Sequence, residues 1–261
     1  MTSYDLGSEF FDSRFKLVTS PVVSPNVLGA IRAVFAIYAV CTFLFIWIWS
    51  GVKSHDGDAY LSYFTHLSWV GLCAYFCISA FHTIAFSRNG STGYPLQLWW
   101  KGLQYLHILM YSTVVTFPIL VTIVYWGLLA SASSFESPYV SWSNISQHAL
   151  NTVFALFEIV LTNVSPMPWT HLPVTILLLA GYLGVAYITY ETQGFYAYSF
   201  LNPKKQGAFL VVYIIGIAVA QCVIFSIVRT VILLRERRVQ RGAANVEVET
   251  WAGAHDHGKP Y

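Results

Sequence analysis

The segment Trp142-Ser-Asn-Ile-Ser-Gln-His148-Ala-Leu-Asn151-Thr-Val-Phe-Ala-Leu-Phe-Glu158-Ile-Val-Leu161 decides how the chain is read. It is apolar enough to enter hydrocarbon, yet it carries polar side chains at helical spacing. At about 100° per residue, Asn144, Asn151 and Glu158 fall within roughly 40° of one another, with His148 beside them. A polar stripe on a membrane helix is costly unless it faces the protein interior or a wet cavity, which marks it as a candidate site. The plainer alternative is interhelical glue, made of hydrogen-bonded amides and a satisfied histidine.

The rest of the chain agrees with a membrane setting. Of 261 residues, 56% are hydrophobic and only 10% charged. An ordinary soluble domain carries about 25% charged residues and needs them to stay in water. An integral membrane protein is expected, all-α and polytopic. The net charge is +2 and the basic residues lie at span ends, not along a groove, which argues against nucleic acid as a partner. All four cysteines (Cys41, Cys73, Cys77 and Cys222) fall in apolar runs, with no disulfide or zinc spacing.

Hydropathy and breakers divide the chain into residues 1–26, a polar lead-in; 27–235, a transmembrane domain; and 236–261, a polar tail expected to be disordered. The lead-in has neither the basic start nor the cleavage site of a signal peptide and reads as cytosolic. Six spans are expected, at about 28–49, 62–86, 103–129, 142–161, 174–190 and 208–234, the first of them long enough for about 30 Å of hydrocarbon. Pro118 inside the third predicts a kink. Arg14, Lys16, Arg88, Lys101 and the Arg235, Arg237, Arg238 and Arg241 cluster share one side, against Lys53, Lys204 and Lys205 on the other. The positive-inside tendency then puts both termini in the cytosol. No internal repeat is visible, which weakens a transporter reading.

This topology sends the second and fourth spans in from the same, non-cytosolic side. Thr65 and His148 then lie at similar depth near that boundary. A hydroxyl beside an imidazole is the minimal nucleophile and base for acyl transfer. Asn144 and Asn151 are candidates for orienting the imidazole, binding substrate or donating to an oxyanion. A lipid ester would reach such a site from the bilayer itself, and the chemistry calls for no metal and no organic cofactor. The bland alternative is a threonine hydrogen-bonded to its own helix.

Several short motifs occur in a telling order: Tyr63-Phe-Thr65, then Thr116-Phe-Pro118 running into Val124-Tyr-Trp126-Gly127. Trp142-x-Asn144-x-x-x-His148 follows, with Glu158 ten residues on. Gly181-Tyr182 then leads through Tyr190 to Gly194-Phe-Tyr-Ala-Tyr198-Ser-Phe200-Leu201. Over residues 62–201 the chain resembles the androgen-induced-gene and androgen-dependent TFPI-regulator family. That resemblance implies a six-span fold and an intramembrane threonine hydrolase of fatty acid esters of hydroxy fatty acids. Its catalytic threonine and histidine match Thr65 and His148, and it implies residence in an endomembrane, such as the endoplasmic reticulum, or the plasma membrane. The chain departs from the family pattern at Ile145, at His66 and in the Arg-rich end, which bears on substrate rather than on the catalytic pair.

Other polar residues have structural readings. Glu158 lies about 15 Å deeper than His148 and is expected to pair with Arg32 or Arg229. Thr83 and Ser79 share the Thr65 face and are expected to bond neighbouring helices. His82, His107 and His171 read as buried, hydrogen-bonded residues near the cytosolic side. Two other functions fit the composition: a non-catalytic lipid-binding or scaffolding protein of the same fold, and a haem-binding electron carrier using paired histidines.

Overall fold

A computed structural model describes the backbone of residues 11–54 and 57–256, and side chains as far as residue 242. The described residues are helical, with no strand among them. The helices are α1 (Pro25–Trp49), α2 (Phe64–Arg88), α3 (Lys101–Val114), α4 (Phe117–Val124), α5 (Pro138–Ile145), α6 (Asn151–Leu161), α7 (His171–Gln193), α8 (Pro203–Gln206) and α9 (Phe209–Asp256). Among the described residues, five helical runs are long and apolar enough to cross a membrane: Pro25–Lys53, Phe64–Arg88, Lys101–Leu129, His171–Gln193 and Phe209–Gly242.

The third run is broken where the sequence expects it. α3 ends at Val114 and α4 starts at Phe117, with Pro118 in its first turn. Proline has no N–H to give the preceding turn, so the Pro118 ring fits only at a new helix start. α5, a π-turn at Ser146–Leu150 and α6 together make one continuous helical run. Its stripe of Asn144, Gln147, His148, Asn151 and Glu158 lowers its hydropathy, and it is not among the five.

Packing is inverted relative to a soluble protein. Val34, Ile37, Leu44, Ile48, Val153, Val160, Leu177 and Ile215 point outward, whereas Arg32, Thr83, Glu158 and Gln221 are fully buried. α1 and α2 pack closely along their length. At Gly29 an added Cβ would come within 2.9 Å of the Ile84 side chain, so a larger residue there would push that side chain aside. Phe35 stacks on Phe154 at 4.3 Å and meets Phe76 and Phe157 edge-on, filling the core between α1, α2 and α6.

Residues 11–24 form a strap across one end of the bundle, with Phe11, Leu17 and Val18 buried. Asp12 accepts hydrogen bonds from the Lys16 and Leu17 amides and from Tyr94 Oη. Lys16 pairs with Glu236 of α9, and Asn163 N–H donates to Thr19 O at 2.9 Å.

Of the tail expected to be disordered, residues 236–256 are helical, and 257–261 lie outside the described residues. α9 runs on without interruption to Asp256. The stretch has no proline to stop it and is rich in Ala, Glu and Arg, which favour helix.

Candidate active site

Thr65 is the second residue of α2. Tyr63, extended at φ −101° and ψ 132°, precedes the helix, following a 3₁₀ turn at Tyr60–Ser62. α7 pins that turn: Tyr182 Oη donates to Ser62 O and Thr189 Oγ1 to Ser62 Oγ, both at 3.0 Å. The Thr65 side chain is 8% exposed. Its Oγ1 and its backbone N each lie 3.4 Å from Tyr198 Oη.

Tyr198 arrives from the segment joining α7 to α8. Gly194, at φ 78°, ends α7 in a left-handed conformation that favours glycine, and the chain folds back over the bundle. Tyr196 stacks on Tyr190 at 4.2 Å, Tyr198 lies parallel to Phe200 at 5.1 Å, and Phe200 and Leu201 are buried. The contacts of Tyr198 with Phe200, Tyr63 and Tyr182 hold its phenol against the start of α2.

His148 sits in the π-turn between α5 and α6 and is 7% exposed. Its Nδ1 is 3.1 Å from Asn144 O. A carbonyl only accepts, so Nδ1 carries the proton and Nε2 of the neutral ring holds the lone pair. Nε2 has no hydrogen-bond partner among the described residues. The imidazole stacks on Tyr125 at 3.6 Å and 13°. Trp126 Nε1 donates to His148 O at 2.7 Å, filling a backbone acceptor within the π-turn.

A cavity of about 230 Å³ connects several of these groups. Thr65, Tyr198, Tyr182 and Tyr125 line it together with Leu120, Val121 and Val124 of α4, Leu179 and Leu183 of α7, and Ile214, Ile217 and Ala218 of α9. Its wall is almost wholly apolar, and the Thr65 and tyrosine hydroxyls are the polar groups its lining side chains offer. A second cavity of about 260 Å³ includes Phe64, Ser68, Thr113, Pro118 and Tyr182 in its wall, sharing Phe64 and Tyr182 with the first. These two rings meet edge-on at 5.2 Å.

The expected residues are brought together only in part. α2 contacts the Ser146–Leu150 turn, but Thr65 and His148 share no hydrogen bond, and His148 is not among the residues lining the first cavity. Tyr125 both lines that cavity and stacks on the imidazole. The two amides are spent differently from what the stripe suggests. Asn144 Nδ2 donates to Ser134 O, and only its backbone carbonyl meets His148. Asn151 donates to Pro118 O at the kink and accepts from Thr122 Oγ1 at 3.1 Å and from the Thr152 amide.

Tyr198, Tyr182 and Tyr125 were missed by sequence reasoning. Tyr198 lies in an aromatic-rich connection that starts at Gly194, Tyr182 within α7 and Tyr125 just after α4, and aromatic density alone says nothing about which ring turns inward.

Glu158 forms a bidentate pair with Arg32, from Nε and Nη2 at 2.8 Å each, both side chains being fully buried. Tyr75 Oη donates to the same carboxylate at 3.1 Å, and Arg32 Nη1 donates to Leu17 O and Thr83 Oγ1. Arg229 instead donates to Met167 O and lies over Trp169. His171 Nδ1 is 2.8 Å from Ser112 Oγ. His82 differs from its expected bonded role: neither ring nitrogen has a partner, and the ring packs among Trp99, Tyr94 and His107. Among the described residues, no group of three or more His, Cys, Asp or Glu side chains is placed to hold a metal ion.

Outward-facing apolar helices around buried polar layers define a multi-pass helical membrane protein, with an apolar cavity that reaches a threonine hydroxyl. Comparison with family models, with curated proteins and with solved structures finds no match to this chain.

Proposed function

We propose that the protein is an intramembrane hydrolase of fatty acyl esters, with Thr65 as nucleophile and His148 as base. The observation that carries this reading is the Thr65 hydroxyl in the wall of an apolar cavity suited to an acyl chain. Thr65 Oγ1 attacks the acyl carbon while its proton passes to His148 Nε2, the nitrogen left without a partner. The tetrahedral adduct collapses, His148 returns the proton to the leaving alkoxide, and an acyl-threonine remains. Water, deprotonated by the same imidazole, releases the fatty acid. For the proton to pass, Thr65 and His148 must close on each other when substrate binds. The Tyr125 ring stacked on the imidazole is then the group that has to shift, and catalytic hydrogen bonds are often long before substrate arrives.

We also propose six crossings with both termini cytosolic. Lys16 and Glu236 pair at one end of the bundle, and two chain ends on one side require an even number of crossings. The α5–α6 run supplies the sixth: 138–161 is about 36 Å long at the helical rise, and Val153, Leu156 and Val160 face outward. The distribution of basic residues supports the cytosolic assignment. Fatty acid esters of hydroxy fatty acids are the substrate class the family resemblance implies, and an endomembrane or the plasma membrane the location.

The test is hydrolysis of long-chain acyl esters by the full chain in lipid nanodiscs. Wild type is expected to turn over, and Thr65→Ala to leave no trapped acyl-enzyme and no product above background. Equal rates for the two proteins would refute the assignment of Thr65.

A further inference from the structure

We infer that Tyr198 is a third catalytic residue, its phenolic hydrogen donated to the carbonyl oxygen of the bound ester as Thr65 attacks. This rests on the hydrolase reading and adds to it the group that stabilises the developing oxyanion.

Geometry points to this role. Tyr198 Oη stands 3.4 Å from Thr65 Oγ1 and 3.4 Å from Thr65 N. The first exceeds the roughly 2.5–3.0 Å of a committed O–H···O bond and the second the roughly 2.7–3.2 Å of an N–H···O bond, so the hydroxyl is held loosely beside the nucleophile. A carbonyl carbon brought onto Thr65 Oγ1 carries its oxygen into the neighbourhood of these two donors. The Thr65 N–H, one of the first four amides of the helix, has no intrahelical acceptor and donates only a long bond to Tyr198 Oη, which the oxyanion can take over. A nucleophile whose own amide serves the oxyanion is a known solution in acyl transfer. The start of α2 also presents the positive end of a 25-residue helix to the new charge.

The surroundings suit a donor better than a base. Burial raises the Tyr198 phenol above its ordinary value, so the group remains a neutral O–H across the working pH range. The ring is held by Phe200, Tyr63 and Tyr182, which fixes the direction of its hydroxyl before substrate arrives. It lines the cavity, whereas neither Asn144 nor Asn151, the amides expected to fill this role, does so. No bond to Tyr198 is made or broken: the phenol donates a hydrogen bond to the oxyanion and keeps its proton when the adduct collapses.

The experiment compares wild type, Thr65→Ala, Tyr198→Phe and Tyr196→Phe, each full-length in nanodiscs, with a long-chain umbelliferyl ester. Affinity for an alkyl boronic acid, whose adduct with a hydroxyl mimics the oxyanion, is measured alongside. Tyr198→Phe is expected to lower kcat by about 10²- to 10³-fold with KM little changed, and to weaken the boronate in parallel. Tyr196→Phe, on the same segment but outside the cavity, is expected to match wild type. Because loss of the phenol could loosen the segment, 3,5-difluorotyrosine installed at position 198 provides a shape-preserving check. Its more acidic phenol should make kcat fall at alkaline pH, where wild type is flat. If Thr65→Ala is dead while Tyr198→Phe stays within about threefold of wild type, or the fluorinated protein shows no alkaline limb, the Tyr198 role is refuted and the hydrolase stands. If Thr65→Ala keeps the wild-type rate, or wild type cleaves no ester, the hydrolase reading falls and the Tyr198 role with it.

Discussion

The same pair of helical segments, α2 and the α5–α6 run, carries two polar layers built on opposite lines. In one layer Arg32, Glu158, Tyr75 and Thr83 are buried, and the Arg32 and Glu158 side chains are fully paired at 2.7–3.1 Å. In the other, Thr65 Oγ1 has a long 3.4 Å contact to Tyr198 Oη, and His148 Nε2 has no partner among the described residues. A saturated network in low dielectric holds helices in register and has no atom left over for chemistry. Groups that are buried, oriented and left unsaturated beside a cavity are the ones able to act on a ligand. By that contrast we read Glu158 as structural and propose the Thr65 end as the working end.

Separate substitutions should break the two layers in different ways. His148→Ala should lower the rate of ester hydrolysis by about 10²- to 10⁴-fold while leaving thermal unfolding nearly unchanged, measured by nanodisc kinetics and a thiol-reactive unfolding assay. Glu158→Ala should do the reverse. It strands a buried guanidinium and should destabilise the bundle by about 3–5 kcal/mol. Replacing both partners, Arg32→Met with Glu158→Leu, should restore most of that stability and near-wild-type hydrolysis. If the double replacement is folded but inactive, the structural reading of Glu158 is wrong. The smallest effect belongs to the cavity. Ala218→Phe should cut turnover of long acyl esters by about tenfold and leave a butyryl ester untouched, so a uniform loss would argue against acyl binding there.

The two layers were not equally legible in the sequence. Glu158 is a charge in a membrane helix, so pairing with a basic residue was close to forced, although the sequence left both Arg32 and Arg229 open as the partner. The Pro118 break was equally readable, because a missing backbone donor acts locally. The stripe of Asn144, His148 and Asn151 was misread as continuous. Its arithmetic assumes 3.6 residues per turn, and the π-turn at Ser146–Leu150 changes the register in its middle. Asn144 and Asn151 therefore serve Ser134 O and Pro118 O. Nothing in local periodicity could find Tyr198, which reaches Thr65 from a connection 133 residues away in sequence. The Lys16–Glu236 pair that ties the two ends together is likewise a product of tertiary packing.

The claim that the Thr65 end does chemistry is tested most directly by the acyl-enzyme itself. Wild-type protein in nanodiscs is mixed with a long-chain activated ester, quenched during turnover and digested, and the peptide containing Thr65 is weighed by mass spectrometry. The account predicts an acyl adduct on Thr65 that builds up in a burst and disappears in Thr65→Ala, with hydrolysis falling by at least about 10³-fold. Unimpaired hydrolysis by Thr65→Ala, or an adduct on any other residue, would contradict it.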